Sequence, residues 1–102
     1  MDKEILEKAR KARSVKPTVT MEEFTYRKEF FKRLYYDGEK HLAVFRRSNP
    51  LTNKLIAYEV VAGKGPDLRY PSDNDFGTWG SCYTGTDESC KRKIKLYHGI
   101  SL

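Results

Sequence analysis

Between residues 28 and 62 the chain holds three extended apolar runs separated by two strong turn signals, and this pattern narrows the fold more than any other feature. Phe30-Phe31-Lys32-Arg33-Leu34-Tyr35-Tyr36 leads into Asp37-Gly38, a pair that tolerates the positive φ of a tight hairpin turn. His41-Leu42-Ala43-Val44-Phe45 follows and closes at Asn49-Pro50-Leu51-Thr52-Asn53. Leu55-Ile56-Ala57-Tyr58-Glu59-Val60-Val61 is the third run, rich in β-branched and aromatic residues. Runs of this length joined by short turns pair with their neighbours in the chain. An antiparallel β-meander over 28–36, 40–47 and 54–62 is therefore predicted, with its register left open.

Upstream of the meander two readings stand. Thr20 with Glu23 has capping-box spacing, and Val19 with Phe24 could form a hydrophobic staple, which allows a helix over 21–35. The period-two alternation of Phe24-Thr25-Tyr26-Arg27 opposes it. Residues 1–16 read as a charged helix over 2–13 and a linker, ahead of a single domain at 17–102. Downstream, Gly63-Lys64-Gly65-Pro66 breaks the sheet, and Ser72 with Asp75 marks one short helical turn. A short final strand ends at Tyr83, with Phe76, Trp79 and Tyr83 assigned to the core. Thr86 caps a last helix over 87–98, and Gly99 stops it. Cys90, Ile94 and Tyr97, spaced i, i+4, i+7, form its expected inward face. The predicted class is α+β: a small antiparallel meander of three to four strands with a C-terminal helix and a short N-terminal helix.

Leu, Ile, Val and Phe supply only 22 of 102 residues, near the level at which a chain fails to build a core. Seven Tyr, five Phe and one Trp offset this, because each buries a large area. The net charge of +6 and pI of 9.4 favour association with polyanions. No apolar run approaches a membrane span, and Met1 to Arg10 is charged throughout, with no apolar stretch of a secretory signal. A cytoplasmic location with reduced Cys82 and Cys90 is the expectation.

The stretch Tyr70-Pro71-Ser72-Asp73-Asn74-Asp75-Phe76-Gly77-Thr78-Trp79-Gly80-Ser81-Cys82-Tyr83, followed by a capped helix, resembles a pattern in small uncharacterised proteins of phages and other mobile elements. In those proteins a meander ending in a strand like Tyr58-Glu59-Val60 precedes a Pro-Ser turn, an aromatic-Gly step and a final helix. The resemblance spans about residues 29–98 and implies a compact α+β fold and an accessory role. It implies no activity and carries over no site residues.

Side chains able to do chemistry are few. His41, Cys82, Cys90 and His98 are the candidate metal ligands, but the cysteines are eight apart and the histidines fifty-seven, wrong for a zinc finger or knuckle. Trp79-Gly80-Ser81-Cys82 lacks the glycines of a nucleophile elbow, and Gly63-Lys64-Gly65 lacks the ending and the helix of a phosphate loop. No metal, cofactor or catalytic site is predicted. The basic clusters point elsewhere: Lys8, Arg10, Lys11, Arg13 and Lys16 at the N-terminus, Arg46-Arg47 ending the second strand, and Lys91-Arg92-Lys93 with Lys95 in the last helix. Phosphates need such cations, and flexible strands also reward stacking on aromatics. The expected function is a non-enzymatic accessory protein whose partner is a nucleic acid or a nucleic-acid-handling complex. Lys91, Arg92, Lys93, Arg46 and Arg47 are its expected contacts, with Lys11 and Arg13 as helpers. The alternative is a protein-binding inhibitor of a host defence enzyme, with aromatic hot spots and a charged rim. A further alternative is a small domain with no nucleic-acid role.

Overall fold

The computed structural model describes residues 17–71 and 80–102. Five strands run β1 (Glu23–Tyr26), β2 (Glu29–Asp37), β3 (Leu42–Ser48), β4 (Leu55–Ala62) and β5 (Gly80–Tyr83), followed by one helix, α1 (Asp87–His98). They form one antiparallel sheet in sequential order, β1-β2-β3-β4-β5. The fold is thus mostly β with one small helix, and its strands number five rather than three to four. The predicted N-terminal helix, the turn at 72–75, and the core positions of Phe76 and Trp79 lie outside the described residues.

The helix considered over 21–35 does not form; alternation wins over the capping signal. Phe24 pairs with Phe31 across β1 and β2, with ring centroids 4.6 Å apart, a contact that helical spacing would not give. The turn between them is Arg27-Lys28, both at positive φ (51° and 66°). Two-residue hairpins of this twist normally use Asn-Gly, and each L-residue there costs roughly 1 kcal/mol. That is why the sequence did not mark the turn. At the next hairpin the Asp37 carboxylate accepts from the Glu39 and Lys40 amides at 3.0 and 3.3 Å, and the left-handed residue is His41 (φ 52°). Asp37-Gly38 therefore opens a longer loop than the two-residue turn it resembles.

A β-bulge between Arg33 and Tyr35 switches the parity of β2. Phe31 before it and Tyr36 after it join the same cluster, while Tyr35 points to the opposite face. The central strands are buried on both faces, which explains their near-continuous apolar runs. On one face Val44, Tyr58 and Val60 pack against Cys90, Ile94 and Ile100. On the other, Ala43, Phe45, Val61 and Phe31 pack under Val19, Leu68 and Tyr70. That second cover is tied down by backbone bonds, Val19 N to Leu68 O at 3.0 Å and Tyr70 N to Pro17 O at 2.9 Å. Tyr70 stands edge-on to Phe24, Phe31 and Phe45 at 5.5, 5.6 and 5.5 Å. Gly63 is needed where the cover meets β4, since a Cβ there would lie 2.8 Å from Val19 Cγ2.

The boundaries of α1 are those its caps predict. The Thr86 hydroxyl accepts from the Ser89 amide at 3.1 Å, the Thr86 amide donates to Ser89 Oγ at 3.0 Å, and Gly99 closes the helix at φ 68°. No helix among the described residues is long and apolar enough to cross a membrane.

Candidate nucleic-acid interface

The basic residues singled out in the sequence divide into two kinds of environment. Arg46, on the helix-facing side of β3, reaches the first turn of α1, where its Nε and Nη2 donate to the two Asp87 oxygens at 2.6 and 3.3 Å. Its Nη1 and Nη2 also donate to the side-chain and main-chain oxygens of Asn53, at 3.0 and 3.2 Å. Arg47 points to the other face, donating to Glu59 Oε1 at 3.1 Å and to Glu29, with its guanidinium over the Phe31 ring. Both arginines are committed to holding elements together. Lys11 and Arg13 lie outside the described residues.

Arg46, Asp87 and Tyr58 form a clip that pins the start of α1 to the sheet. The Tyr58 hydroxyl donates to Asp87 Oδ1 at 2.6 Å. The Arg46 hydrogen bond, then that of Tyr58, lowers the Asp87 carboxyl from 3.8 to about 2. Burial, then the neighbouring carboxylate, raises the Tyr58 phenol, so it stays a donor. Because the Asp87 value is depressed by folding, the clip's contribution is full above about pH 4 and is lost as pH falls through 2. The Asp87 side chain is 45% exposed, so solvent screening reduces that contribution to about 1 kcal/mol. Denaturant melts of wild type and Asp87→Asn should differ by this amount at pH 6 and converge toward pH 2. A difference that persists at pH 2 would remove the ion pair as its source.

The helix presents the other kind of environment. Only Cys90 and Ile94 of α1 are buried, and Lys91, Arg92, Lys93 and Lys95 all stand exposed. Arg92 lies 3.5 Å from Glu88, while Lys91, Lys93 and Lys95 make no ion pair with a described residue. The unpaired lysines elsewhere, Lys28, Lys32, Lys40 and Lys54, sit singly on separate turns and strands. Asp87 and Glu88 occupy the first turn, so positive charge collects along the middle and end of the helix.

Tyr97 is the chief correction to the site. Its heptad-like spacing from Cys90 predicts an inward side chain, yet it is 66% exposed. Ile94 and Ile100 already fill the helix-side cluster, and the last turn of α1 lies beside Tyr83, the last residue of β5. Tyr97 stacks on the Tyr83 ring with centroids 6.2 Å apart and planes 16° from parallel. The Tyr83 hydroxyl is in turn hydrogen-bonded to His98 Nε2 at 2.7 Å. Tyr83 is half-buried against the helix-side core, as assigned from sequence. The i, i+4, i+7 spacing of Cys90, Ile94 and Tyr97 carries no mark of this overhang.

The candidate metal ligands are not brought together: no group of three or more His, Cys, Asp or Glu among the described residues could hold an ion. Cys90 is buried, Cys82 is exposed on β5, and desolvation pushes both thiols up. No protein-family model, curated protein or solved structure matches the chain.

Proposed function

We propose that this chain is a non-enzymatic accessory protein that binds nucleic acid through the outer face of α1. One observation carries the reading. Four arginines of the sheet and its loops are met by carboxylates, Arg33 by Glu22, Arg46 by Asp87, Arg47 by Glu29 and Glu59, and Arg69 by Asp67, and a fifth, Arg27, lies over the Tyr26 ring. The lysines of α1 form a cluster of exposed cations in no ion pair with a described residue, Lys91 feeling the Asp87 carboxylate only at longer range. Clustered, solvated cations on a rigid helix release counterions when they meet phosphates, and the net charge of +6 adds long-range attraction. In this reading Lys91, Arg92 and Lys93 contact the ligand, and Arg46 and Arg47 maintain the surface that presents them.

Replacing Lys91, Arg92 and Lys93 together with Ala should weaken binding to labelled oligonucleotides of any sequence. It should also reduce the slope of log affinity against log salt by roughly 2. Unchanged affinity and slope by fluorescence anisotropy would take the helix out of the interface. The exposure of Leu96 (74%) beside Tyr97 favours a second reading, docking on a protein such as a host defence enzyme. Binding to a protein target that persists at high salt, with none to oligonucleotides, would select it.

A further inference from the structure

Resting on the nucleic-acid reading above, we propose that Tyr97, braced by Tyr83, is a base-stacking platform and that the ligand is single-stranded. A tyrosine recruited only to fill a core would bury its ring, yet Tyr97 is 66% exposed and packs one face on Tyr83. The platform is ordered before any ligand arrives. Tyr83 is half-buried, held by its hydrogen bond to His98 at 2.7 Å and set edge-on to the same imidazole at 5.7 Å. An aromatic fixed in this way loses little side-chain freedom when a base stacks on it.

One cation stands beside it. Lys93 precedes Tyr97 by four residues, about 6 Å along the axis, and so neighbours it on the helix surface, whereas Lys91, Arg92 and Lys95 stand on other sides of the same helix. The Tyr97 ring offers a phosphate no charge, so a backbone phosphate held at Lys93 leaves its base to meet that ring. Duplex bases already occupy their stacks and cannot take this position without being unpaired, whereas single strands offer free faces to any aromatic. Tyrosine stacking reads no base edge, so the selectivity is for strandedness rather than sequence.

The test is fluorescence anisotropy with labelled single-stranded DNA, single-stranded RNA and a duplex of equal length, at matched salt. The proteins are wild type, Tyr97→Ala, Tyr97→Leu, Tyr97→Phe and the triple helix variant. Tyr97→Leu keeps an apolar contact on Tyr83 without a π face, and thermal melts confirm that each variant is folded. Tyr97→Ala and Tyr97→Leu should weaken single-strand binding roughly tenfold, with Tyr97→Phe close to wild type. Duplex affinity should change less than twofold, and the salt slope should stay that of wild type. The DNA and RNA arms show which backbone is preferred; either satisfies the proposal. Wild-type single-strand affinity in both Ala and Leu variants would overturn the platform while leaving the electrostatic reading standing, provided the triple variant is weakened. Equal losses for single strands and duplex would overturn it too. Absence of binding to any oligonucleotide at low salt would end the parent reading and this one together.

Discussion

Arg47→Ala is expected to lower the free energy of unfolding by about 3–5 kcal/mol, a large share of what a domain of this size possesses. The cause is not the lost arginine but the carboxylate left behind. Glu59 projects from β4, next to β3, and its side chain is only 3% exposed, with Arg47 Nη1 3.1 Å away. Arg47 also joins Glu29 and lies over the Phe31 ring, so one guanidinium links β2, β3 and β4 on a single face. Truncating it takes a counter-charge away from Glu59 in a site that water hardly reaches. Because the Arg47 side chain is itself 32% exposed, the lower half of the range is the better figure. Replacing Arg47→Met together with Glu59→Leu should restore part of the loss, since it removes the desolvated carboxylate while Glu29, 25% exposed, is left to solvent. Urea melts of the single and double variants at pH 7 measure this directly. A loss under about 1 kcal/mol for Arg47→Ala would mean that the pair behaves as a solvated surface bridge.

Phe45→Ala should be comparably damaging, at about 3–5 kcal/mol. Phe45 is fully buried at the centre of the face turned away from α1, between the sheet and the cover formed by Val19, Leu68 and Tyr70. Its ring meets Phe24 at 5.3 Å and Tyr70 at 5.5 Å, both edge-to-face. Such pairs add about 0.5–1.5 kcal/mol beyond simple burial. Truncation opens a cavity that a stiff aromatic cluster relaxes into only in part. Because that cover joins residues 17–19 to 68–70, the variant should also speed amide exchange at Val19 and Tyr70, whose backbone bonds close it. Full stability with unchanged exchange would show that this face is open and that Tyr70 does not seal it.

How much of this was legible in the sequence follows from how local each determinant is. The helix Asp87–His98 was predicted to the residue, because its start and stop are written in Thr86 and Gly99, and caps act over a single turn. The strands Leu42–Ser48 and Leu55–Ala62 were placed within two residues, since unbroken apolar runs between turn residues admit little else. The first hairpin was not found because its turn is Arg27-Lys28, a pair no turn rule favours; the stacking of Phe24 on Phe31 holds it in place. The roles of the basic residues were the least legible. Arg46 and Arg47 look alike in a list of cations, yet adjacent residues on a strand point to opposite faces. One therefore meets Asp87 and the other Glu59 and Glu29, 12 to 41 positions away in the chain. Tyr97 follows the same logic in reverse: its helical phase predicts burial, yet it stays exposed with one face on Tyr83, the last residue of β5. The meander, the terminal helix and the excess of positive charge follow from periodicity, caps and composition, which need no knowledge of distant neighbours. Which cations are neutralised and which aromatics stay exposed depends on side chains that meet through space rather than along the chain, and so emerges only on folding.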